Sequence, residues 1–386
     1  MGNKFRLVII LLFVGLIVLY FFTSAGNTPF NHFTLLANAF LKGKFFIEAN
    51  APWLEKVPIG GDKFYVVNPP MPALLLMPFV TIFGKEFPQQ LLAHILGTGL
   101  SLVTAMLAFR LKRDMKLAIW SGLLTGIGTI IWFLSSVGST WYLGQITAAF
   151  FLSLAILESF GKKRPFLLGL FLGATYLSRI HIALVFPFFI ILNWDKLKYL
   201  KNLFYFILPI TLFVGFDFFY NFARYGTIFN KGYFLIPGTS TEPWFSKGIM
   251  HPSYIIEDLK IAFLKLPIKI STFPYIIPSW AGMAIWLTTP AFIFSLKAKF
   301  SELWVKYSWL SIFIIFLIVG AHGGTGFAQF GYRFAVDFYP FLTLLTIKGV
   351  IAQNGPKKIH WIFLIIGIIV NFWGVIWINK FGWVGW

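Results

Sequence analysis

Ionisable side chains set inside long apolar stretches are the first sign of chemistry in this sequence. Arg179 lies between two short apolar runs, with His181 two residues on. Arg224 follows in DFFYNFARYG (217–226), and Arg333 and Asp337 in FGYRFAVDFYP (330–340). Charged groups near the bilayer are costly unless they are paired or used. The arginine fork matches phosphate oxygens two at a time. Three arginines at one membrane level, with His181 and His322 nearby, would line a cationic pocket suited to phosphate. The plainer alternative is that Arg333 and Asp337, four apart on a helix, pair with each other. Two carboxylates, Glu55 and Asp62, fall in WLEKVPIGGDKFYVVNPP (53–70), a loop restricted by Gly60-Gly61 and by Pro69-Pro70. They are either catalytic or ordinary solvated loop carboxylates.

The elements that must position these groups are membrane helices. Of 386 residues, 58% are hydrophobic and only 12% charged, where a soluble domain carries about 25% charged residues. Apolar runs near spanning length recur from end to end. The reading is an all-α, polytopic integral membrane protein, a single transmembrane domain over 1–386, with about eleven transmembrane helices. The first run follows Lys4 and Arg6 and resembles a signal peptide, but no small-residue cleavage site after it is convincing, so it is read as a retained anchor. Cysteine is absent, which excludes disulfides and cysteine-ligated metals.

The net charge of +19 reads mainly as orientation. Short basic loops, LKRDMK (111–116), GKKRP (161–165), DKLKYLK (195–201), LKAK (296–299) and GPKK (355–358), separate the apolar runs. No aromatic-interleaved basic surface stands apart from the membrane, so nucleic acid is not an expected partner. With the N-terminus cytoplasmic, the basic loops all fall inside only if 70–84, which carries Pro70, Pro72 and Pro78, dips in and returns or lies along the outer interface. Spans are then expected near 7–23, 88–110, 117–136, 141–158, 166–178, 181–193, 201–219, 277–296, 307–322, 334–350 and 359–378. The C-terminus becomes external, and 166–178 with 181–193 is short enough to be a tilted hairpin around Arg179 and His181.

Both long polar segments, 24–69 and 220–276, are then external, which suggests that this face carries the chemistry. Residues 31–44 and 253–266 have apolar positions at helical spacing and polar residues opposite, as interfacial helices do. In 253–266, Ile255, Ile256, Leu259, Phe263 and Leu266 share one face, and Glu257, Asp258, Lys260 and Lys265 are expected to be solvated. Phe64 to Val67 reads as a short extended piece.

The order of one span, an external amphipathic helix ending in Gly, a loop ending in Pro-Pro and a hydrophobic dip resembles the GT-C superfamily of polyprenyl-phosphate-sugar-dependent glycosyltransferases. The segments NHFTLLANAFLKGKFF, DKFYVVNPPMPALLLMPF, GLFLGATYLSRIHIALVFPFF, SWAGMAIWLTTPAF and FGYRFAVDFYPFL are similar to its branch related to protein mannosyltransferases. The resemblance implies transfer of a sugar from a lipid phosphate to a glycan, lipid or protein acceptor on the extracytoplasmic face of the cell membrane. Family members carry an acidic residue shortly after the first span. Here that place holds Asn27, Asn31 and His32, so the base is sought in Glu55 or Asp62. Donor phosphate binding is assigned to Arg179, Arg224 and Arg333, with Lys63 and His181 as further candidates and Asp337 orienting Arg333. No paired-carboxylate nucleotide-sugar motif is present, so no metal or cofactor is required beyond the polyprenyl-phosphate sugar. A transporter or flippase, and a glycan polymerase or ligase, are the rival readings. The first would favour half-length repeats, which are not evident.

Overall fold

The computed structural model describes residues 3–48, 56–326 and 328–385. In chain order the helices are α1 (Asn3–Thr23), α2 (His32–Leu41), α3 (Met71–Phe83), α4 (Gln89–Leu111), α5 (Met115–Ile127), α6 (Ile131–Val137), α7 (Thr140–Ser159), α8 (Pro165–Ser178) and α9 (Phe186–Leu192). They continue as α10 (Trp194–Leu197), α11 (Leu200–Tyr225), α12 (Gly232–Leu235), α13 (Ile255–Leu264), α14 (Ile285–Thr288), α15 (Leu303–Gly320), α16 (Tyr339–Ala352) and α17 (Lys358–Phe381). Among the described residues, six of these are long and apolar enough to cross a bilayer: α1, α4, α7, α11, α15 and α17. A seventh span forms if α5 and α6, bent by 52° at Gly128–Ile130, are taken together.

About eleven spans are expected from the sequence; the other expected stretches, 166–178, 181–193, 277–296 and 334–350, hold only shorter pieces. Residues 166–178 form α8, and 181–193 a 3-10 turn (Ile180–Val185) running into α9. The span expected at 277–296 is not a continuous helix. It holds a strand ending at Ile277, the short α14 and a 3-10 helix (Pro290–Lys297). Pro278, Gly282 and Pro290 interrupt it, since proline lacks the N–H that an interior turn needs.

Contacts between helix ends fix which ends share a level. Phe5 stacks on Phe109, and Gln90 donates to Asn27, so α1 and α4 run antiparallel with nothing crossing between them. The intervening α3 has 13 residues and, at roughly 1.5 Å per residue, spans about 20 Å, well short of a hydrocarbon core of about 30 Å. Pro72 stands in its first turn, and Gly84, at positive φ, closes it. Its trailing loop returns to the level where it began: Thr34 of α2 donates to the Phe87 carbonyl. This agrees with the expectation that 70–84 does not cross the membrane. On the opposite side, Lys163 pairs with Asp195, Phe160 meets Trp304 and Lys348 pairs with Glu302, which gathers three of the basic loops at one level. Lys380 donates to the Ser24 carbonyl, so the chain ends beside the far end of α1.

Packing follows the small residues. Gly169 and Gly173, one turn apart on α8, let α11 approach closely: a methyl on Gly169 would run into the Phe206 carbonyl oxygen, and one on Gly173 into the Phe213 ring. In membranes, where lipid is as apolar as leucine, such close backbone approach is the main source of helix association. Asp114 caps α5 by accepting from the Lys116 and Leu117 amides.

The first external segment carries a three-stranded sheet: β1 (Ile47–Glu48), β2 (Lys56–Pro58) and β3 (Lys63–Val66), in the order β1-β3-β2 and antiparallel throughout. A second pair, β4 (Ile268–Lys269) and β5 (Ile276–Ile277), lies in and just beyond the second segment. Helix α13 forms where expected and exposes Glu257 and Lys260, but its apolar residues and Asp258 are not placed as expected. Ile256, Leu259 and Phe263 are exposed, while Asp258, Ile261 and Ala262 are buried against the protein. The apolar stripe therefore faces outward, as in a helix lying at a bilayer surface, and Asp258 is not solvated.

Candidate active site

The level shared by the ends of α1, α8, α11 and α15 collects the ionisable groups. Arg179 occupies the turn where α8 ends, and His181 begins the 3-10 turn that leads into α9. A second 3-10 turn, Arg333–Asp337, precedes α16. Both are tight turns at the head of a membrane helix, and they meet. Asp337 Oδ2 accepts from Arg179 Nη2 at 2.7 Å and from Arg179 Nε at 3.1 Å. The same oxygen lies 2.9 Å from His181 Nε2. Asp337 has no solvent exposure, whereas the side chains of Arg179 and His181 are 24% and 20% exposed. The carboxylate is thus a buried post, and the two basic groups reach past it toward open space.

Arg333 is held differently from the expectation that Asp337 would orient it. Its Nε donates to the Gly326 carbonyl at 2.5 Å and its Nη1 to Gln145 Oε1 at 3.2 Å. Gln145 Nε2 returns a hydrogen bond to the Arg333 carbonyl at 2.9 Å, and Gln329 Oε1 accepts from the Arg333 amide. Tyr142, one turn before Gln145 on α7, donates to the Ala328 carbonyl. Asp337 therefore positions Arg179 and His181, and Gln145 positions Arg333. Arg333 and Asp337 do not form the same-turn pair: Asp337 faces the α8–α9 turn, and Arg333 faces Gly326 and Gln145.

His322 lies just beyond α15, with its ring edge-on to Tyr233, Phe245 and Phe334. Burial holds its imidazole down at about 4, and the neighbouring Arg179, Arg333 and His181 push the same way. His322 thus feels Arg179, His181 and Arg333, which places these basic groups in one region.

The other sequence candidates lie elsewhere. Arg224 donates to the Val66 carbonyl at 2.6 Å and to Asn221 Oδ1 at 2.8 Å, and stacks on the Tyr220 ring. It ties α11 to the strand before Pro69-Pro70, and no described contact joins it to Arg179 or Arg333. Asn221 in turn donates to Asp217, which accepts from Tyr176, so a polar chain runs from α8 through α11 to the first external loop. Lys63 is exposed on β3 with its ammonium over the Phe46 ring. Asp62 is exposed at the Gly60-Gly61 turn, and Glu55 lies outside the described residues. Of the residues where the resemblance expects an acid, Asn27 accepts from Gln90 and His32 meets Thr140 at 2.7 Å, so both are held in structural contacts.

Two structures of ArnT from Cupriavidus metallidurans superimpose on the chain. The one bound to undecaprenyl phosphate does so with a TM-score of 0.57 at 12% identity, over 96% of this chain and 64% of that one. The apo structure gives 0.55 at 15% identity, over 93% and 62%. The chain shares its fold with these two structures. It spans a little under two thirds of the ArnT chain. No family model and no curated protein sequence matches it. Gln145 and Gln329, which hold Arg333, are buried polar residues at this end of the fold that carry no charge to mark them in the sequence. A glutamine at 145 in an apolar run was the one available signal.

Proposed function

We propose that the chain is a membrane glycosyltransferase that moves a sugar from a polyprenyl-phosphate donor to an acceptor at the extracytoplasmic face. One observation carries the reading: a fully buried carboxylate, Asp337, holds Arg179 and His181 side by side at the membrane level where Arg333 and His322 also sit. A leaving phosphate needs fixed cations whose orientation costs nothing at the moment of reaction. Arg179, anchored through two hydrogen bonds to Asp337, and Arg333, anchored through Gln145, supply them. The undecaprenyl phosphate bound to ArnT supports the same donor class, and the polarity of the basic loops supports the extracytoplasmic face. Arg224 and Lys63, both on the first external segment or its anchor, serve the acceptor side or the loop itself in this reading.

Purified protein in nanodiscs provides the test, with undecaprenyl phosphate as the titrated ligand. Wild type binds it, and Arg179→Gln, assayed at a temperature where it remains folded, weakens binding at least tenfold. Equal affinity in the two proteins would remove the lipid phosphate from this site.

A further inference from the structure

The base of the reaction is unassigned by the geometry so far, and the carboxylates in view are poor candidates. Asp62 is exposed at a hairpin turn. Asp217 is buried and already accepts from Tyr176 and Asn221. Asp258 is buried 1% exposed against Tyr332. Asp337 has no exposure.

His181 has what these lack. We propose that His181 is the base of the transfer, its Nδ1 taking the acceptor's proton while Asp337 holds its Nε2–H; this rests on the glycosyltransferase reading above. A carboxylate only accepts, so the 2.9 Å contact with Asp337 Oδ2 places the imidazole proton on Nε2 and leaves the Nδ1 lone pair available. A base oriented through its second nitrogen by a buried carboxylate is a recurrent arrangement for proton abstraction. The His181 side chain is partly exposed and the Asp337 side chain is not. Arg179 meets the same oxygen, so the two basic groups flank one point and diverge from it. One can face the leaving phosphate while the other faces the attacking hydroxyl.

The step balances within these groups. The acceptor oxygen forms a bond to the anomeric carbon, and the bond from that carbon to the phosphate oxygen breaks. The electron pair leaves on the phosphate, beside Arg179. The hydroxyl proton passes to His181 Nδ1, and the resulting imidazolium is stabilised by Asp337.

The experiment measures transfer and binding separately in wild type, His181→Gln and His181→Gly. Transfer is followed from a panel of labelled undecaprenyl-phosphate hexoses and pentoses into source membranes, and binding with undecaprenyl phosphate. In both variants transfer falls about a hundredfold or more, the usual range for losing a general base, while affinity stays within a few-fold. Added imidazole restores part of the activity of His181→Gly. Transfer within a few-fold of wild type overturns the assignment. So does a parallel loss of affinity, which makes His181 a phosphate ligand instead. If wild type binds the lipid but transfers from no donor on the panel, the glycosyltransferase reading itself fails and the base with it.

Discussion

Replacing Asp337 with Asn removes one negative charge and leaves the shape of the site almost intact. The carboxylate is completely buried and carries three hydrogen-bond contacts on one oxygen, two from Arg179 and one from His181. Removing one partner of a buried ion pair costs about 3 to 5 kcal/mol, because the other charge is left without compensation. Arg179 is 24% exposed and can rehydrate in part, so about 3 kcal/mol is the figure expected here. The Arg179→Gln variant pays a similar cost by stranding Asp337. The double variant has no uncompensated charge and loses less than the sum, with a coupling of about 1 to 3 kcal/mol. Thermal unfolding of the four proteins in one detergent, followed by intrinsic tryptophan fluorescence, measures the cycle. Additive effects, or an Asp337→Asn protein within about 0.5 kcal/mol of wild type, would show that the pair does not hold the α8–α9 turn.

Three further outcomes follow from the same structure. Burial pushes the Asp258 carboxyl up to about 8, with Tyr332 lowering it and Glu257 raising it. The native state therefore holds this proton more tightly than the unfolded chain, and its stability falls as pH rises from about 4 to about 8. Asp258→Asn abolishes that loss, so its melting temperature gains on wild type between about pH 5 and pH 8; a constant difference contradicts the buried environment. Gly169→Val forces a side chain against the Phe206 carbonyl and destabilises the protein by at least about 1 to 3 kcal/mol, read by the same melts; an unchanged melting temperature means that α8 and α11 are not in close contact. Because the chain has no cysteine, single cysteines at Asp62 and Lys163 can be labelled without background. They react with an impermeant thiol reagent from opposite faces, and labelling from one face sinks the arrangement of loops.

Much of this architecture is readable from residue patterns because the bilayer imposes it. Apolar length marks α1, α4, α7, α11, α15 and α17, and the basic loops place their ends at common levels. That α3 does not cross is legible from three prolines in a run too short to span. Residues 277–296 mislead, since hydropathy registers an apolar stretch and not whether its backbone is helical. The face used by α13 is illegible for a related reason: at a bilayer surface the apolar stripe points away from the protein, and periodicity alone does not say which side is lipid. Within the site, Arg179, His181, Arg333 and Asp337 stand out as charges in apolar surroundings. Their pairing does not, because Asp337 is 158 residues from Arg179 and competes with a partner four residues away. Gln145 bonds Arg333 across 188 residues, and a neutral side chain carries no electrostatic flag. Arg224 has the same sequence character as Arg179, yet its partners are Val66 and Asn221. Residue type shows that an arginine needs partners and leaves open which ones.

Sugar transfer from a labelled undecaprenyl-phosphate donor by protein reconstituted in liposomes is the most direct test of the central claim. Wild type should transfer label into an extracted acceptor fraction, and Arg179→Gln should lower the rate on the order of a hundredfold, as loss of a fixed cation at a leaving group does. Wild-type protein that binds the lipid phosphate no better than Arg179→Gln, and transfers label from no such donor, would contradict the account.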